Sequence, residues 1–154
     1  MAILNIVQKG DETLRKRCKE VKEINDRVLE ILDDMKDTLY SSGNGVGLAA
    51  PQVGILKRLV VIDVGEGLLE LINPVIVEQE GEQNEVEGCL SIPGVYGRVK
   101  RPARVVVEYT DRNGKKKRKE GTGLLAICFC HELDHLDGIL FEDKVNEFVE
   151  IEKE

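Results

Sequence analysis

Histidine is scarce, with two in 154 residues, so any metal site must find a further ligand elsewhere. Long apolar runs are missing too. None approaches the roughly 20 residues that a membrane-spanning helix needs. Residues 1–10 have a short apolar start but neither an h-region nor a small-residue cleavage site, so no secretory signal is read there. The expectation is a cytoplasmic protein in a reducing compartment. There the four cysteines, Cys18, Cys89, Cys128 and Cys130, are ligands or core residues rather than disulfides. Repeats, low-complexity stretches and linkers are also lacking, and residues 1–154 read as a single domain. The formal net charge is -7, which gives no broad electrostatic attraction to nucleic acid or anionic lipid. Neither a specific nucleic acid nor a membrane is expected as a partner. One basic run, Lys115-Lys116-Lys117-Arg118-Lys119, follows the turn signature Asp111-Arg112-Asn113-Gly114 and reads as a solvated hairpin arm.

The apolar pattern that is present reads as α+β. Asn25 and Asp26 offer a cap, and Val28, Ile31, Leu32, Met35 and Leu39 recur at helical spacing until Ser41-Ser42-Gly43-Asn44-Gly45. Strand-like runs follow at Arg58–Asp63, Leu68–Ile72, Val75–Val77 and Arg104–Thr110. A last strong element runs from about Thr122 to Asp137 and stops at Gly138. Leu124, Ile127, Cys128, His131 and His135 share one face of it, while Leu125, Phe129, Leu133 and Leu136 cover another. A helix apolar nearly all round is a buried one. The expected architecture is mostly antiparallel sheet packed around this C-terminal helix.

Both histidines sit on that helix, in His131-Glu132-Leu133-Asp134-His135. The H-E-x-x-H spacing lets two imidazoles reach one metal while the Glu points beside it at a bound water. The metal lowers the pKa of that water from 15.7 to about 7. Glu132 then serves as general acid/base, passing the proton to a leaving nitrogen. The plain alternative is a helix with two core histidines and a surface Glu.

Two histidines leave a coordination gap. H-x-x-G-x-x-H would continue through Gly138 to position 141, which is Phe141, so a three-histidine site is excluded. The carboxylate of Glu147 is one candidate ligand, and a thiolate, suited to zinc or ferrous iron, is another. Cys128 lies one turn before His131, Cys130 points off the histidine face, and Cys18 sits in a charged stretch. Cys89 has the best setting, in Glu87-Gly88-Cys89-Leu90-Ser91-Ile92-Pro93-Gly94, where glycines let backbone approach a ligand closely. Burial without a ligand role is the common fate of such a cysteine.

Three segments in order complete a pattern: Gly45-Val46-Gly47-Leu48-Ala49-Ala50-Pro51-Gln52, Glu87-Gly88-Cys89-Leu90-Ser91, and His131-Glu132-Leu133-Asp134-His135-Leu136-Asp137-Gly138. Over essentially its whole length the chain resembles bacterial peptide deformylases. The resemblance implies hydrolytic removal of the formyl group from the formyl-methionine of new polypeptides. It implies Cys89, His131 and His135 as ligands of one Fe2+, for which Zn2+, Ni2+ or Co2+ substitutes, and Glu132 as acid/base. It also implies that the Gln52 side chain and the Leu90 N–H stabilise an oxyanion. Gly45, Val46 and Gly47 suit an edge that pairs with an extended peptide, and Leu124, Ile127 and Cys128 suit a pocket for the methionine side chain. The implied partners are formyl-Met nascent peptides and, transiently, the ribosome. Cys130 stands where the family commonly has Gln, and the tail from Asn146 to Glu154 is short and acidic.

Overall fold

The computed structural model describes residues 2–43 and 45–150. Helix α1 is Asp26–Ser41, and its Asn25 side chain accepts the Val28 N–H at 3.0 Å, the cap expected from sequence. It buries Val28, Ile31, Leu32, Met35 and Leu39, the residues whose spacing announced it. Strands β1 (Gly47–Ala49), β2 (Leu59–Ile62), β3 (Leu69–Glu80), β4 (Gln83–Cys89), β5 (Ile92–Arg101), β6 (Arg104–Thr110), β7 (Lys116–Thr122) and β8 (Val145–Val149) surround helix α2, Gly123–Leu136. Asn44, part of the helix stop read from sequence, and residues 151–154 of the acidic tail lie outside the described residues.

The strands form two antiparallel sheets, ordered β1-β2-β3-β6-β7 and β4-β5-β8. The first buries Val60, Ile62, Leu71, Val105 and Val107 against Ala126, Phe129, Cys130 and Leu136 of α2. On its other flank Leu48, Leu59, Val61 and Ile72 pack on α1. The second sheet closes over the far side of α2, where Ile92, Val99 and Phe141 cluster with Cys89. The expected α+β architecture is therefore present, with a helix buried between sheets.

β3 is one strand where the sequence suggested two. Asn73 bulges it with φ 53°, and its side chain takes the Val21 N–H and donates to the Val21 carbonyl, both at 2.8 Å. Asn is among the residues that tolerate this left-handed backbone, so the Asn73-Pro74 break signal marks a bulge and not an end. The basic run lies in β7 and its turn, an exposed antiparallel arm on β6 as expected. Lys117 pairs with Asp111 at 3.3 Å and Arg118 with Glu78 and Glu108. Gly138 ends α2 at φ +76°, and a Cβ there would lie 2.5 Å from the Arg15 carbonyl. That position needs glycine for both reasons.

Among the described residues no helix is long and apolar enough to cross a membrane.

Candidate active site

α2 carries both imidazoles inward because its inward face is itself core: His131, Glu132 and His135 are buried together with Ile127 and Cys128. Cys89 comes from the other side, as the last residue of β4. There the hairpin turn Leu90-Ser91 sets it opposite Ile92. Gly88 makes the approach possible, since a Cβ there would meet the Tyr96 ring at 2.8 Å. The ligand atoms of Cys89, His131 and His135 all lie within 4.8 Å of one another, and Cys89 Sγ is 3.4 Å from His135 Nε2. One thiolate and two imidazoles on three sides of a common point is a donor set that fits a divalent ion with an open position. Among the described residues no other cluster of this kind occurs.

The alternative ligands fall elsewhere. Glu147 lies on β8, where it pairs with Arg98 at 3.1 Å. Cys130 packs into the core under the first sheet. Cys18 is also core, its N–H bonded to the Leu136 carbonyl at 2.8 Å.

Behind the histidines lies a buried charge network that sequence reading did not single out. His131 Nδ1 meets Glu87 Oε1 at 2.8 Å, which leaves Nε2 for the centre. Arg101 forks onto Glu87 through Nε at 2.8 Å and Nη2 at 2.9 Å, and reaches Asp134 through Nη1 at 2.8 Å. Lys144 closes on the same Asp134 carboxylate at 3.0 Å. Burial works against the Glu87 charge, but the Arg101 guanidinium and His131 hold its carboxyl below the usual range. Such a carboxylate–histidine contact fixes the tautomer and ring orientation of a metal ligand. The Phe141 ring stacks on His131 at 5.7 Å and holds it from another side.

Burial also separates the two imidazoles. It drives the His135 pKa well below its ordinary value, helped by the neighbouring His131 charge, so His135 stays neutral as a ligand must. For His131 burial pulls down, but the Glu132 carboxylate, Cys89 and Glu87 outweigh it and raise the pKa. An arriving cation therefore competes with a proton on His131.

Glu132 is the group best placed for proton transfer. Burial pushes its pKa up to about 7, where a general acid/base works best near neutral pH. Its Oε1 is buried without a hydrogen-bond partner among the described residues. Its Oε2 occupies the space of an absent side chain, 2.6 Å from where a Gly47 Cβ would stand. Gly47→Ala should therefore push the carboxylate aside and leave the fold, since the end of a side chain can yield. A shift approaching 1 Å costs about 10²-fold in rate. The check is hydrolytic turnover against melting temperature: a large activity loss with an unchanged midpoint is expected.

Gln52 is held in a definite orientation. Its Oε1 accepts the Ala49 N–H at 3.0 Å, so its amide nitrogen faces the site, 3.4 Å from Cys89 Sγ and 3.2 Å from Ser91 Oγ. With its oxygen turned to a backbone N–H, the amide presents its NH2 donors on the opposite side.

A groove of about 490 Å³ joins these groups. Gly45, Val46 and Gly47 form one lip and Gly88 and Leu90 the other, and Leu124, Ile127, Cys128, His131 and Glu132 line it as well. Ile127 and Cys128 are buried, whereas Leu124 is half-exposed at the mouth. β1 is the edge of its sheet. The Val46 carbonyl accepts the Asp63 N–H at 2.8 Å, in register with the β1–β2 ladder. By the alternation of antiparallel pairing, Val46 turns its backbone toward β2 while Gly45 and Gly47 turn theirs to the groove.

Known proteins resemble this chain in sequence and in backbone. The family model described as polypeptide deformylase matches residues 3–150. The peptide deformylase of Acetivibrio thermocellus is 65% identical over 150 residues, spanning 97% of this chain and 88% of that protein. That of Thermoanaerobacter pseudethanolicus is 60% identical over 153 residues, 99% of this chain and 96% of that protein. The solved peptide deformylase of Thermotoga maritima superimposes with a TM-score of 0.91 at 39% identity, covering 95% of this chain and 99% of that one. The structure of the Synechococcus elongatus peptide deformylase in complex with actinonin gives 0.91 at 47% identity, covering 96% and 81%. Likeness in sequence and in backbone thus extends over nearly the whole chain, which belongs to the polypeptide deformylase family.

Proposed function

We propose that this chain hydrolyses the formyl group from the N-terminal formyl-methionine of newly made polypeptides in the cytoplasm, releasing formate. The observation that carries the reading is the convergence of Cys89, His131 and His135 within 4.8 Å, on a groove lined also by Glu132 and Gln52. Fe2+ is the proposed resident ion, with Zn2+, Ni2+ or Co2+ able to replace it, because one thiolate among imidazoles suits the softer divalent metals. Held there, the ion supplies Lewis acidity and an activated water.

The remaining work belongs to the chain. The substrate lies extended against Gly45 and Gly47, pairing as an added strand, with the methionine side chain over Ile127 and Cys128. Glu132 takes a proton from the attacking water as a C–O bond forms to the formyl carbon. Negative charge then gathers on the formyl oxygen, which Gln52 Nε2 and the Leu90 N–H receive as donors. Glu132 returns the proton to the amide nitrogen as the C–N bond breaks, giving formate and a free α-amine. A transient ribosome contact belongs to the same proposal; the substrate is the nascent peptide itself.

The test is kcat/KM for formyl-Met-Ala-Ser against acetyl-Met-Ala-Ser at equal metal loading. Gly88 packs on Tyr96 and a Gly45 Cβ would meet Leu90 at 2.8 Å, so both lips are closely packed. One added methyl in so tight a site costs roughly 1–3 kcal/mol, before the lower electrophilicity of the acetyl carbonyl is counted. A preference for formyl of well over tenfold is expected. Comparable values would point to a general amidohydrolase.

A further inference from the structure

Gln52 and Leu90 stand on different halves of the fold. Gln52 follows β1 of the five-stranded sheet, while Leu90 caps the β4–β5 hairpin of the three-stranded one. A clamp made of one donor from each holds its geometry only if the halves are tied to each other nearby. One tie is the contact of Gln52 Nε2 with Ser91 Oγ at 3.2 Å. The other comes from outside the groove, from residues far upstream. The Val7 N–H donates to the Gln52 carbonyl at 2.7 Å, and the Lys9 N–H donates to the Ser91 carbonyl at 2.8 Å. Between them, Gln8 Nε2 reaches the Leu90 carbonyl at 3.4 Å. Three consecutive residues thus address the three residues that set the donors.

We infer that segment Val7–Lys9 is a positioning strap for the oxyanion clamp, an inference that rests on the deformylase reading of the same site. The strap touches no substrate. It bonds to the backbone carbonyls of the segments that carry the two proposed donors, and so fixes the separation of those segments. The rest of the N-terminal segment is anchored elsewhere, with the Ala2 N–H on Asp34 and the Leu4 N–H on Thr38 of α1, each at 2.8 Å. Those bonds tie the same segment to the fold without reaching the clamp, which makes Leu4 the natural control.

The experiment removes single N–H donors. Cys18 allows residues 1–17 to be made synthetically and joined to 18–154 with the sequence intact. An ester in place of the amide at Val7 or Lys9 deletes one bond and spares the side chains, including the Lys9–Glu142 ion pair at 2.9 Å. Each should lower kcat about tenfold, since misplacement by a fraction of an ångström is enough, with KM and metal content nearly unchanged. The ester at Leu4 should lower the melting temperature comparably and leave kcat alone. Gln8→Ala, at an exposed position that cannot unfold the chain, should lower kcat about threefold on the same ground. Independently of turnover, nitrogen chemical shifts of the Gln52 side chain and the Leu90 amide in the zinc-loaded chain should move in the Val7 and Lys9 esters and not in the Leu4 ester. Unmoved signals, or equal kcat losses in all three esters, would overturn the strap. An unmodified chain that releases no formate, while the signals move as expected, would overturn the deformylase reading alone.

Discussion

Glu132→Ala should keep the fold and the bound metal and lose formate release by 10²–10⁴-fold, the range that a positioned general acid/base contributes. The expectation follows from burial. The carboxylate is 5% exposed, has one oxygen without a partner and presses against the bare Gly47 backbone. Among the described residues the one other carboxylate lining the groove is Glu87, which is spent on Arg101 and His131. Removal also relieves an expensive buried charge, so the variant should melt no lower than the parent. Metal content, melting temperature and formate release on one preparation separate the cases. Turnover near the parent value would refute the role.

Cys89→Ala should lose bound metal almost completely. A contact behind a ligand is worth 10–100-fold in affinity, and a ligand itself should be worth more than about 100-fold by the same scale. His131→Ala and His135→Ala should behave alike, since among the described residues these three form the one cluster able to hold an ion. Glu147→Ala is the informative contrast: that carboxylate pairs with Arg98 on β8, and its loss should leave the metal in place. Metal analysis after dialysis against a weak chelator decides the matter. Full occupancy in Cys89→Ala would move the third ligand elsewhere.

Much of this was legible in sequence where the signal was periodic or local. α1 and α2 announced themselves by apolar residues every third or fourth position, and H-E-x-x-H needed only the second helix to become a site. β4, β5 and β8 were not read. Their runs alternate weakly, include Pro93, Gly94 and Gly97, and expose charged residues such as Glu85 and Glu147. What makes them strands is pairing with one another, a long-range fact. The pairing of Glu87 with Arg101 and His131 escaped for the same reason: the partners lie 14 and 44 residues away. The strap is equally silent, because backbone N–H groups leave no mark on composition.

β1 ends its sheet, with Gly47 on the groove and the Ala49 N–H already taken by the Gln52 side chain. Elsewhere an unpaired strand edge invites stray chains to stack and aggregate, and proteins shorten or cover such edges. Here the edge is three residues long, enters through one lip of the groove at Gly47, and has glycines at that end that offer a newcomer no side-chain grip. On the proposed function a visiting strand would be held by its main chain, which all polypeptides share, and would have little else to cling to once the reaction is over. The same shortness that guards against aggregation would make that grip indifferent to sequence and easily released, two properties that suit an enzyme meeting every new chain in turn.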